Sequence, residues 1–142
     1  MIVLDTNVLS EMMKPAEQRS STVFAWFGRQ SGDRLYTTTI TVAEVLAGVA
    51  ILPAGRRRTA LQSVLHRVLE LFSGRCLPFD MASAPFFADA VTVRRRAGKS
   101  IDPLDMLIGA IARANGMAVA TRNLLDFADC GVRLIDPWGA AE

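Results

Sequence analysis

The chain has 142 residues, 51% of them hydrophobic and 21% charged, with a formal net charge of +2. That length supports one domain with a packed core, and that composition excludes a disordered chain. The near-neutral balance gives no global electrostatic case for nucleic acid, although Arg56-Arg57-Arg58 and Arg94-Arg95-Arg96 with Lys99 form local basic clusters.

In chain order, Met1-Ile2-Val3-Leu4 reads as a short buried strand that runs into Asp5, Thr6 and Asn7, all helix-capping types. Asp5 is therefore either a plain N-cap or a carboxylate at a strand end, a common seat for a bound cation. Val8–Met13 is predicted as a helix stopped by Pro15, and 17–30 as a second helix. Leu35–Thr38 is β-prone. Thr41 with Glu44 matches a capping box that opens a helix through Leu52. Apart from Glu44 that helix lacks a polar face, which predicts burial in the core or against a partner. A carboxylate there is costly unless it is paired or metal-bound.

Pro53-Ala54-Gly55 breaks the chain before a long amphipathic helix from Arg56 to Phe72, on which the single histidine, His66, falls at the surface or flank. One histidine rules out a two-histidine acid–base mechanism. Arg75–Asp80 is a third strand, near a sheet edge because of Pro78. Ser83–Ala97 is a helix with Phe86, Phe87, Ala90 and Val91 inward and its arginines near the C-terminus, where cations suit the dipole. Asp102-Pro103-Leu104-Asp105 is the clearest helix start in the sequence, with Asp102 as N-cap and Pro103 at the first helical position. Asp102 can do the capping, which frees Asp105 on a helix that is otherwise apolar to Arg113. Met117–Thr121 is a fourth strand, followed by Arg122, Asn123 and Asp126. Asp126 is open to three readings: ligand, cap, or ion-pair partner of Arg122. Val132–Ile135 is a last strand. Cys76 and Cys130 have no metal-binding spacing and read as reduced thiols. No apolar run reaches the ~18 residues of a membrane span, and Asp5 interrupts the first one, so neither signal peptide nor membrane segment is expected and the location is read as cytoplasmic.

Strands alternating with helices imply a single α/β domain over 1–142, with a parallel sheet covered on both faces. Ligands of such sheets bind beyond the carboxyl ends of the strands. Asp5, Glu44 and Asp105 are the candidate metal ligands and catalytic groups there, with Asp126, Asn123, Thr121 and Thr6 as a possible fourth ligand or as groups that orient ligands and water. Clustered carboxylates need a cation, and hard ions such as Mg²⁺ or Mn²⁺ take oxygen ligands and promote phosphodiester hydrolysis.

Ile2–Glu11, Ile40–Glu44, Gly74–Asp80, Asp105 with Ile108–Ala112, Ala120–Asn123 with Asp126-Phe127, and Asp136–Trp138 stand in an order that resembles the PIN-domain family. The similarity is strongest to the VapC-type toxins of type II toxin–antitoxin pairs and their relative FitB. The resemblance implies a three-layer α/β/α sandwich around a mostly parallel sheet of four to five strands. It implies a Mg²⁺- or Mn²⁺-dependent endoribonuclease that forms a homodimer and is inhibited by a VapB-type antitoxin, with DNA contacted only through that antitoxin. The family's acidic site carries over to Asp5, Glu44 and Asp105. A fourth acid often follows the Thr-Arg of the fourth strand, and here Asn123 stands in its place. Met12, Met13, Trp26 and Phe27 lie where the family's antitoxin groove is expected, though core packing accounts for most of them. Two alternatives stay open: an inactive module that serves as dimeric partner of a DNA-binding antitoxin, and a structure-specific DNA nuclease.

Overall fold

A computed structural model describes residues 1–139. Five parallel strands form one sheet in the order β3-β2-β1-β4-β5: β1 (Ile2–Leu4), β2 (Leu35–Thr38), β3 (Cys76–Leu77), β4 (Ala118–Ala120) and β5 (Leu134–Ile135). The chain runs outward from β1 on one side, then returns to β4 on the other. The switch point therefore falls between β1 and β4, where ligand crevices form in such sheets. Ile2 pairs with Ala118 and Leu4 with Ala120, and the Asp5 amide extends this ladder to the Ala120 carbonyl at 3.0 Å.

Alternation along β1 divides the core into two layers, because successive side chains point to opposite faces. Ile2 and Leu4 pack with α1 (Thr6–Met13), α2 (Ser21–Gly28), α3 (Thr39–Ala50) and α4 (Arg56–Glu70), through Val8, Leu9, Trp26, Val45 and Leu65. Val3 and Val119 pack on the other face with α5 (Ala84–Arg96), α6 (Pro103–Ala114) and α7 (Leu124–Phe127), through Ala90, Met106, Ile108 and Phe127. The result is the three-layer arrangement expected from the sequence. No helix of the described residues is long and apolar enough to cross a membrane.

Four local expectations change. Residues 17–30 do not form one helix: a 3₁₀ turn at Ala16–Gln18 precedes α2, whose N-cap is Ser20. The third strand shrinks from Arg75–Asp80 to two residues at the sheet edge, since Pro78 has no N–H to give the ladder. The capping box at Thr41 is absent, because β2 enters α3 without a loop and Thr38 serves as N-cap, its hydroxyl accepting from the Thr41 amide at 3.0 Å. Finally, α3 is not buried all round. Thr41, Val45 and Val49 face the core, while Leu46 is 48% exposed. By contrast α6 is buried as its composition requires, from Asp105 to Ala112 with only Leu107 less than fully covered. Both cysteines are free thiols.

Candidate active site at the carboxyl ends of the strands

Asp5 lies at the switch point and is 2% exposed. It stands at the end of β1 and is the N-cap of α1. Its Oδ1 accepts from the Thr6 amide at 2.7 Å as it caps α1, and its Oδ2 accepts from the Thr121 hydroxyl at 2.6 Å and the Asn7 amide group at 2.8 Å. Thr121, wholly buried at the end of β4, receives the Asn123 amide in turn at 2.9 Å. Asn7 closes the ring by accepting from the Arg122 amide at 3.2 Å. One carboxylate thus ties the ends of two strands separated by more than a hundred residues. Burial pushes the Asp5 carboxyl above its ordinary value. The Thr121, Thr6 and Asn7 donors oppose that rise, and the Glu44 charge adds to it.

Glu44 is half-buried, and its Oε2 accepts from the Thr6 hydroxyl. Since Thr38 caps α3, the Glu44 carboxylate is free of any capping duty and stands one residue's reach from Asp5, with Thr6 between them. Asp105 sits at the N-terminal turn of α6, 7% exposed. Asp102 caps that helix, accepting from the Leu104 and Asp105 amides at 2.9 and 3.4 Å. No donor among the described residues reaches the Asp105 carboxylate. Desolvation, then the charges of Asp5, Asp102, Asp126 and Glu44, push its pKa from 3.8 up to about 7. Asp105 is therefore within electrostatic reach of Asp5, Asp126 and Glu44.

Asp126 is less intimate. Its side chain is 44% exposed and its Oδ1 stands 3.8 Å from an Arg94 nitrogen. Of the three readings open for Asp126, the pairing with Arg122 is not made: the Arg122 guanidinium lies over the Trp138 ring at 5.4 Å. Asn123 is exposed and meets Thr121 through its backbone amide. Among the described residues no three His, Cys, Asp or Glu side chains already close around a common point. Asp5 and Glu44 accept from separate hydroxyls, those of Thr121 and Thr6. The donor set is all hard oxygen, and Asp105, with no protein donor on its carboxylate among the described residues, is the group a small divalent cation would suit best.

Two residues were not singled out by sequence. Glu11, 2% exposed, accepts from the Ser20 amide at 2.6 Å and pairs with Lys14 at 2.6 Å. Burial raises its pKa, but Lys14 and the Ser20 amide outweigh that and hold it below the ordinary value. Arg94 is 3% exposed and does not belong to a solvated basic face, unlike Arg95 and Arg96. Its spacing of four from the inward Ala90 is the signal that would have found it.

A family model for the PIN domain matches residues 2–129. The chain belongs to the PIN-domain family. Within that family it is of the VapC/FitB type. It is 44% identical to a VapC ribonuclease, Y4jK, of Sinorhizobium fredii, over 99% of this chain and all of that one. It is 38% identical to Toxin FitB of Neisseria gonorrhoeae, over 97% and 99% of the two chains. Among solved structures, FitAB bound to an IR36 DNA fragment superposes with a TM-score of 0.91 at 37% identity, covering 100% and 99% of the chains. A DNA-bound VapBC from Salmonella typhimurium, at 23% identity over 96% and 97% of the chains and a TM-score of 0.76, shares the PIN fold.

Proposed function

We propose that this PIN-domain chain is a Mg²⁺- or Mn²⁺-dependent endoribonuclease, the toxin of a toxin–antitoxin pair. Asp105 carries the reading: a buried carboxylate without a donor, set at the carboxyl edge of the sheet in the field of Asp5, Glu44 and Asp126. Asp5, Glu44 and Asp105 would hold the ion, with Asp126 as the nearest fourth acid. A divalent ion bound there lowers the pKa of a coordinated water and stabilises charge on a phosphoryl oxygen. The protein's own part is orientation. Thr121 and Asn7 fix the Asp5 carboxylate, Thr6 steers Glu44, and Asp102 takes the capping work away from Asp105. Burial keeps these donors ordered and strengthens each interaction.

The relatives' names and the FitAB assembly support an antitoxin partner of VapB type, and DNA would be reached through that partner. A groove of about 1240 Å³ between α1, α3 and α4, lined by Met12, Met13, Val45 and Leu61, reaches Thr6 and Glu44 and would seat that antitoxin beside Glu44. Met12 and Met13 line the groove, but Met13 and Trp26 are core residues and Met12 and Phe27 pack against that core. The exposed apolar side of α3 suits a second copy of the chain, in a homodimer.

The test is cleavage of single-stranded RNA by purified protein with Mn²⁺ or Mg²⁺. Cleavage is expected to stop with chelator and with Asp5→Ala or Asp105→Asn in folded protein. Undiminished cleavage by Asp5→Asn overturns the mechanism. Preference for branched DNA turns the reading to a structure-specific nuclease, and no cleavage of either leaves an inactive module whose work is antitoxin binding.

A further inference from the structure

We propose that Arg94 is a positioning residue for the acidic site, setting Asp126 and Asp105 in place through their main chains. The inference rests on the acidic site described above. Arg94 is almost wholly buried, and its guanidinium divides its donors between two segments. Nε donates to the Ser100 carbonyl at 2.7 Å, two residues before the Asp102 cap of α6. Nη1 donates to the Leu125 and Asp126 carbonyls at 3.0 and 3.1 Å and to Asp129 Oδ2 at 3.2 Å. Lys99 backs Asp129 at 3.0 Å, so the acid is neutralised from two sides.

The carbonyls are the telling acceptors. A helix of one turn cannot satisfy its own carbonyls, and isolated turns of this length do not persist in water. Helix α7 has four residues, and Arg94 supplies the partners for two of its carbonyls. The same planar group grips the chain just ahead of α6. One side chain therefore fixes the spacing between the turn that bears Asp126 and the helix start that bears Asp105. The Asp126 carboxylate remains only loosely paired with Arg94, at 3.8 Å, and its charge is felt at Asp105. A lysine, with one ammonium in place of a fork, cannot span both segments.

The experiment compares Arg94→Lys with Leu65→Ala, a core truncation in α4 on the opposite face of the sheet. Both are studied well below their melting temperatures. In metal-free protein, amide hydrogen exchange over residues 100–106 and 121–130 is expected to quicken together in Arg94→Lys and to stay near parent in Leu65→Ala. Mn²⁺ affinity and kcat on RNA are expected to fall about tenfold or more in Arg94→Lys, with KM for RNA within about twofold. Parent-like exchange in both segments with parent-like Mn²⁺ affinity overturns the positioning role. A parent protein that neither binds Mn²⁺ nor cuts RNA overturns the nuclease reading instead, while hydrogen exchange still decides for or against Arg94.

Discussion

Asp105 shows at the scale of one residue how a site is stored at a cost to the fold. The folded protein holds its proton up to about pH 7, whereas the unfolded chain releases it near 3.8. Between those values the native state binds more protons, so metal-free stability falls as pH rises through that window. Asp105→Asn is expected to flatten much of this slope, leaving the smaller contribution of Asp5, and to stabilise the metal-free protein at pH 8 by about 1–3 kcal/mol while RNA cleavage is lost. Thermal melts of both proteins across pH 5 to 8 check the sign; an unchanged slope would show that Asp105 titrates normally. The sequence made this residue legible because Asp102-Pro103 supplies a complete helix start and leaves Asp105 surplus. It did the same for Asp5, which ends an apolar strand. Glu44 stood out for the wrong local reason, since three consecutive threonines before Ile40 offer several possible caps and only the fold selects Thr38.

Among the elements, α6 is the best defined, and its contact with the loop after α7 depends on Gly109. A methyl group there would lie 2.5 Å from Cys130 Sγ and 2.8 Å from its Cβ, with Cys130 itself buried. Gly109→Ala gains helix propensity of about 0.5–1 kcal/mol but forces α6 away from this loop, an overpacking cost of about 1–3 kcal/mol. The net expectation is lower stability, with partial recovery in Gly109→Ala/Cys130→Ala, so that the two changes are coupled in a double-mutant cycle by denaturant unfolding. Additive effects would mean that the helix and loop separate freely. Most strands and helices and their alternation were legible from periodicity, but the one-turn α7 was not. The losses came where tertiary context decides: the two-residue β3 at an edge, the broken helix before Ser21, and Arg94, whose charge hid a position on the inner stripe of α5.

For the molecule as a whole, the proposed ion held by the acids at the switch point would couple ligand binding to folding. Mn²⁺ at about a hundredfold over its Kd is expected to add about 2.7 kcal/mol to the parent's stability. Asp5→Ala is expected to abolish that gain, read as the rise in melting temperature on adding the ion. An equal rise in both proteins would place the ion elsewhere. The general architecture followed from the sequence because β1 and β4 are apolar on both faces, as only interior strands of a parallel sheet are. What composition could not reveal was their adjacency, since pairing between distant segments leaves no local trace. That adjacency has a consequence for folding. The Thr121 hydroxyl that orients Asp5 lies 116 residues away along the chain, on the end of a strand that must first dock beside β1. The Asp5 carboxylate therefore gains its full set of donors only once this long loop has closed, and a partly folded chain lacks a finished cleft.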